Sequence, residues 1–416
     1  MFSQKWRHLF ALSCTVLAAN VAAASEQKLT LDDAVKKALV SDDPYLNEPA
    51  ERARAFQDKA VADGQLPDPK VRIAFANWPT NSFSYSQEPM TQLQLGVSQA
   101  FPRGATRQLK REKQEVQAEM LRQHEALRRL EVVRDTRLAW LDLYFWQASV
   151  ERVNQSRQAI AELISVTQST FATGKNKSQD IFRAQMELAL LDDKLIDIAQ
   201  KSDVANAALV RRFGGGLSVE AIGHPALKHP ATASVTKELL MQHPTVTVKR
   251  ISVDVAEKDI SIAGEQYKPS WAVTAGYGAR GGDRADFASV GITMDIPLFT
   301  KNRQDRRLAA AKRSRQAQQL SLNSVLMDLE RRVMTTHAVW SRTSERIKLY
   351  QQVVRERAKE TSEASLASYQ SGVTDFPELI RARLAELDIE LKLLRLKRER
   401  LKAQAELLYL EGEGDA

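Results

Sequence analysis

The sequence predicts a mainly helical fold with a small β part, in which long helical hairpins and short strands are duplicated in tandem. Three observations lead there. Charged residues make up 27% of the 416 and aromatics only 6%, with 17 Gly and 13 Pro, a balance nearer to long helices than to a compact enzyme. Landmarks also recur: Asp43-Pro44, Gly64 and Pro69 return 200 residues later as His243-Pro244, Gly264 and Pro269. Leu95-Gly96-Val97 and Pro102 return at 195 as Val290-Gly291-Ile292 and Pro297, and Gly174, Arg183-Ala184 and Leu209 at 198 as Gly372, Arg381-Ala382 and Leu407. Finally, the apolar pattern switches between helical period and strict alternation at the same places in each copy.

Residues 1–24 read as a secretory signal: Lys5, Arg7 and His8 form a basic start, Leu9 to Ala19 an apolar run of 11, and Ala22-Ala23-Ala24 a small-residue cleavage site. The only cysteine, Cys14, lies inside that run, so a chain cut after Ala24 has none and forms no disulfide. A lipid anchor on Cys14 is disfavoured, because Ala11 stands where such sites carry Leu and the apolar run before it is short. Removing the signal takes away two of the 60 Lys and Arg and none of the 52 acids, leaving 58 against 52, a net +6.

Residues 25–213 then form a first repeat, 214–234 a Gly- and Pro-rich linker, and 235–416 a second repeat. Each repeat opens with a helical pattern of about 30 residues, Leu31 to Gln65 and Val235 to Tyr267. A proline leads into two alternating segments. Val71, Ile73 and Phe75 alternate with Arg72, Ala74 and Ala76, and Leu93, Leu95, Val97 and Phe101 with Gln92, Gln94, Gly96 and Ser98. In the second copy Trp271, Val273, Ala275 and Tyr277, then Val290, Ile292, Met294, Ile296 and Leu298, take the apolar positions. Period two with one apolar face is a strand signal.

Very long helical patterns follow, Arg103 to Phe171 and Lys301 to Tyr369. Leu109, Val116, Met120, Leu127, Leu130, Leu138, Leu141 and Phe145 approach a coiled-coil stripe broken by Lys113 and Arg134. At 1.5 Å per residue each pattern spans roughly 100 Å, far more than one globular core needs. Shorter patterns return over 178–212 and 376–410, so FATGKNKSQDI (171–181) and YQSGVTDFPEL (369–379) are the tips of helical hairpins. Gly174 and Gly372 suit the left-handed turn at a helix end. Asp375 stands three residues before Glu378, a capping-box spacing, and Pro377 suits a first helical turn.

Outside the signal no uncharged apolar run approaches the ~18 residues of a membrane helix. Four short strands cannot close a barrel, so they belong either to a barrel shared by several chains or to a small soluble sheet capping a helical rod. The interspersed basic residues read as solvated helix faces with (i, i+4) pairs or as a nucleic-acid or membrane-surface patch, and export argues against nucleic acid as a partner. GYGARG (276–281) matches a dinucleotide fingerprint, but the next segment alternates as a strand, and a turn fits better. His224, His229 and His243 each precede a proline without a carboxylate or cysteine at ligand spacing; a solvated linker is favoured over a metal site. Trp140, Tyr144, Phe145 and Trp146 suit helix packing better than ligand stacking. No residue set at catalytic spacing is present, so neither an enzyme nor a cofactor is expected.

The LTLDDAVKKAL opening followed by Asp43-Pro44, the strand ends GVSQAFP and GITMDIP, and the paired aromatic-x-x-Gly tips resemble the TolC family of outer-membrane efflux factors over nearly the whole mature chain. The resemblance implies a homotrimer: four strands per chain in a shared 12-stranded β-barrel contacting outer-membrane lipid, and the helices in a trimeric α-barrel across the periplasm of a Gram-negative bacterium. It implies a passive duct, driven by an inner-membrane pump of the RND type through a periplasmic adaptor (membrane fusion protein). It places Phe171, Gly174, Ser178, Tyr369, Gly372 and Thr374 at adaptor-docking tips, and Asp180, Arg183, Glu378 and Arg381 at the periplasmic aperture. The best known member has two acids spaced by three at the second tip, whereas this chain has Glu378 and Arg381. That departure suggests acid and Arg pairs in place of an acidic ring; equally, Asp180 and Glu378 can serve only to complement the positive ends of their helices. The stretch 77–104 is most similar to members that serve heavy-metal cation pumps. Two other classes stay open, a soluble periplasmic coiled-coil adaptor or interaction protein and an envelope enzyme.

Overall fold

A computed structural model describes residues 27–171, 178–215, 218–230 and 237–413; the expected signal, with Cys14, lies outside them. In order, the elements are β1 (Gln27–Leu29), α1 (Leu31–Val40), α2 (Pro44–Asp63), β2 (Lys70–Ala76), β3 (Gln92–Phe101), α3 (Thr106–Phe171), α4 (Ser178–Arg212), β4 (Val219–Ala221), α5 (Lys237–Gln242), α6 (Pro244–Glu265), β5 (Ser270–Arg280), β6 (Phe287–Asp295), α7 (Gln304–Leu349), α8 (Arg355–Gln370) and α9 (Phe376–Leu410). The four strands expected from alternation form one antiparallel sheet in the order β2-β3-β5-β6.

The 66-residue α3 is the spine, about 100 Å long. Its first half packs between α2 and α6, its second half between α4 and α9, and α7 and α8 close the layer against α6 and α9. Apolar seams hold each level. Leu130 meets Val246, Leu326 and Leu329 midway, and Val153, Ile160 and Ile164 meet Ala184, Leu191, Leu379 and Leu387 nearer the tips. The polar interruptions of the stripe are ties to neighbouring helices: Lys113 pairs with Asp259 on α6 at 2.6 Å, and the Arg134 guanidinium lies 4.5 Å from the Tyr409 ring on α9.

Several expectations are corrected. Each opening helix is two helices, because Pro44 and Pro244 lack the N–H that a continuous helix needs and each begins a new one. The residue before each proline becomes the cap. Asp43 accepts from the Tyr45 N–H at 3.0 Å and from Arg211 at 2.9 Å. Burial alone would raise its carboxyl, but the Tyr45 N–H and the Arg211 and Arg212 guanidinium groups outweigh it and hold it below the ordinary carboxylate range. His243 is therefore no solvated linker residue. It is 2% exposed; Nδ1 accepts from the Thr245 N–H at 3.2 Å, and the other ring nitrogen meets the Tyr409 carbonyl at 3.1 Å.

The linker is partly structured too. β4 pairs in parallel with β1, Gln27 opposite Val219 and Leu29 opposite Ala221, so the chain has six strands among the described residues. Side chains finish this ribbon: Trp140 Nε1 donates to the Leu29 carbonyl at 3.0 Å, and the Gln147 and Asn206 side chains accept from the Ala221 and Val219 N–H groups. Trp140, fully buried and stacked on Tyr144, thus serves packing. In GYGARG only Gly281 lies past the end of β5, and β6 stops at Asp295, leaving Ile296 and Leu298 beyond it. The second long helix contains a π turn at Tyr350–Val354, which the first lacks.

His243 makes stability depend on pH. Burial depresses its folded pKa, whereas an unfolded histidine keeps about 6.5. Its contribution is present above that value and is lost as pH falls below it, when the unfolded chain takes up the proton first. His243→Asn, which can still cap, should flatten the difference in thermal midpoint between pH 7.5 and pH 5. His243→Ala should lower stability at both by about 1 kcal/mol. A midpoint difference unchanged in His243→Asn would assign the pH dependence elsewhere.

Candidate functional site

The sheet has two unlike faces. Across it, Ile73 stands opposite Leu95, which stands opposite Tyr277, and Val97 opposite Ala275, which stands opposite Val290. This apolar face is uncovered: Ile73 is 71% exposed, Val290 82% and Ile292 71%. The other face is a concave trough lined by Lys70, Arg72, Gln94, Ser98, Thr274 and Ser289. Glycine leaves room for the neighbouring hydroxyls: a Cβ on Gly276 would come 2.8 Å from Ser289 Oγ, and one on Gly291 2.9 Å from Thr274 Oγ1. At one rim Phe101 stacks on Trp271 with centroids 4.1 Å apart. At the other, the 77–91 connection folds over the end of β5, where Arg284 donates to the Ser86 and Glu88 carbonyls and Arg280 to that of Pro89. Both outer strands, β2 and β6, keep an unpaired edge.

The described tip lies far along the chain from the sheet, between α8 and α9. Gly372 takes φ +74°, and the Val373 and Gly372 N–H groups bond the Ser368 and Tyr369 carbonyls at 2.9 and 3.0 Å. That is a Schellman turn, and only glycine adopts its left-handed position without strain. Asp375 then caps α9, accepting from the Glu378 N–H at 3.1 Å. The Glu378 carboxylate makes no reciprocal cap; it pairs with Arg381 at 2.9 Å, one turn on. Tyr369 is within 3.1 Å of Thr167 Oγ1 on α3 and 5.5 Å from the Phe376 ring, which joins the two hairpins just above the tip. Val373 is left 78% exposed, and Thr374 follows it in the turn.

At the first tip Gly174 lies outside the described residues; Phe171 closes α3 and Ser178 opens α4. Asp180 and Arg183 stand at the spacing of Glu378 and Arg381 but form no ion pair with each other among the described residues. Also among them, no group of three or more His, Cys, Asp or Glu side chains could hold a metal ion, and no helix is long and apolar enough to cross a membrane. Sequence reasoning overlooked the isolation of Lys70 and Arg72 on the trough, because alternation assigns a face without showing what else shares it.

A sequence model described as outer membrane efflux protein matches residues 235–413, which hold the second strand pair and the second hairpin. Among solved structures, VceC, an outer membrane protein of Vibrio cholerae, superposes with TM-score 0.76 at 18% identity, covering 92% of this chain and 96% of that one. The second repeat thus matches the outer membrane efflux protein family, and the chain as a whole has the fold of these channels. The open-state MtrE outer membrane channel of Neisseria gonorrhoeae has the same fold (TM-score 0.77, 15% identity, 92% and 89% covered), as does CusC, solved in a study of transmembrane channel formation (0.77, 16%, 92% and 91%). Among curated proteins no sequence matches.

Proposed function

We propose that this chain is one of three identical subunits of a passive outer-membrane duct, the exit component of a tripartite efflux system. The observation that carries the reading is the sheet: apolar and exposed on one face, concave and polar on the other, with both edges open. Backbone groups cannot stay unpaired in lipid, so β6 of one chain must pair with β2 of the next until the ring closes. Three chains of four strands give 12. The helical layer has matching open sides, α4 with exposed Phe182, Met186 and Leu190, and α7 with exposed Leu320, Met327 and Met334 at heptad spacing. The tips reach into the periplasm, where Tyr369, Gly372 and Thr374, with Phe171, Gly174 and Ser178 of the first hairpin, meet an adaptor that joins the duct to an RND-type pump.

Extraction decides between this duct and a soluble rod. The protein should leave membranes only in detergent and run as a trimer. Ile292→Arg, on the lipid face, should cost about 2–4 kcal/mol and lower the assembled yield, while Thr293→Arg on the trough should not. Release of the wild type with the periplasmic fraction would overturn the duct.

We also propose that Glu378 and Arg381, with Asp180 and Arg183, set the periplasmic aperture. The Glu378–Arg381 pair is 47% and 69% exposed, so alone it contributes no more than about 1 kcal/mol. A gate built from it would be weak and easily opened by an adaptor. Arg183→Ala with Arg381→Ala should raise single-channel conductance; an unchanged value would leave Glu378 as a helix-end charge only.

The cargo suggested by the 77–104 resemblance is heavy-metal cations. A deletion strain should then lose tolerance to zinc, cobalt or copper and keep its tolerance to drugs; the reverse pattern would dismiss metals as cargo.

A further inference from the structure

The trough carries a charge pattern that a neutral duct does not need. On the concave face Lys70 shares its row with Ser98, Thr274 and Gly291, and Arg72 shares its row with Gly96, Gly276 and Ser289. Neither cation has an ion pair or a side-chain hydrogen bond among the described residues, and both are exposed. Arg280, farther along the same face, differs: its guanidinium is engaged by the Ala285 and Pro89 carbonyls and lies 4.1 Å from the Phe287 ring. The one acid on this face of the four strands is Asp295, at the opposite end of the sheet from Arg280, where it accepts from Ser270 Oγ at 2.9 Å. The glycines in the Arg72 row, Gly96 and Gly276, present no side chain to the guanidinium.

We infer that Lys70 and Arg72 form an anion-recognising collar inside the β-barrel, two cations from each of three chains, serving solutes that bear carboxylate, sulfate or phosphate groups. This rests on the trimeric-duct reading and adds to it the chemical class favoured in the bore. The dimensions allow it. Twelve strands spaced about 4.8 Å apart and tilted near 40° close at a backbone radius on the order of 12 Å. Side chains pointing inward bring their charges within about one Debye length of the axis, ~10 Å at 0.1 M salt, so the collar's field reaches the centre of the bore. A wall of low dielectric constant concentrates that field and raises the local concentration of anions. Arg72 adds a planar fork that matches an oxyanion with two parallel N–H donors, which Lys70 cannot do.

The test is electrical. Detergent-extracted wild-type protein and Lys70→Glu/Arg72→Glu are placed in planar lipid bilayers under a KCl gradient, and inorganic triphosphate is added on the outer side. The wild type should prefer chloride, and outer triphosphate should reduce its current in a salt-sensitive way. Charge reversal should abolish the block and lower the chloride-to-potassium permeability ratio by about threefold or more. Lys70→Gln/Arg72→Gln, which keeps side-chain length and removes charge, should fall between the two and serves if the reversed variant fails to assemble. Open channels with the same reversal potential and the same block in every variant would overturn the collar and leave the duct standing. A wild type that forms no channel would overturn both.

Discussion

The four-stranded sheet offers lipid or water an apolar face and two unpaired edges, and among the described residues no other element packs against either. An exposed run such as Ile73, Leu95, Val290 and Ile292 on a lone sheet would invite aggregation in water. In a bilayer the same run lowers the free energy, provided that every strand edge is paired. In the proposed trimer that condition is met because the last edge of one chain, β6, lies beside the first edge of the next, β2. The repeated proline after each opening helix turns the chain into the sheet at equivalent places.

Below the sheet the problem is reversed, since a hollow helical wall has water on both sides and little core. The seams around Leu130 and Ile160 exclude water only between adjacent helices. Half-exposed ion pairs such as Lys113–Asp259 and Lys258–Glu112, both at 2.6 Å between α3 and α6, contribute little each. Their spacing instead disfavours a slip of one helix past its neighbour, which would separate both pairs at once. The β1–β4 ribbon, held by Trp140 and Gln147, ties the start of the first repeat to the chain that leaves it.

What could be read from the sequence divides along physical lines. Strand faces, the second hairpin tip and the duplication were legible, because period two, period 3.6 and glycine at a helix end are local signals. Tyr369, Gly372 and Asp375 hold the turn that their spacing implied. The features that were not legible depend on distant partners. Three-residue strands need each other across 190 residues of chain, and nothing in QKL or VEA announces a pairing. His243 read as linker because its cap partner, Thr245, is local but its burial comes from Tyr409, at the far end of the chain. The π turn at Tyr350–Val354 has no composition of its own.

Cargo is where the two lines of argument pull apart. Similarity over 77–104 points to metal cations, yet the concave face sets unpaired Lys70 and Arg72 against a single acid, Asp295, which bonds Ser270. A bore with that charge slows bare divalent cations, whose repulsion grows with their charge, and it favours their anionic complexes or anions of other origin. In the proposed system a pump would select what enters, while the duct would set how readily each charge leaves. A duct serving free metal ions would gain from an acid in the Arg72 row, where a Cβ on Gly96 would meet nothing closer than 3.6 Å. That this position holds glycine beside an unpaired arginine is the strongest physical reason to seek the cargo among anions.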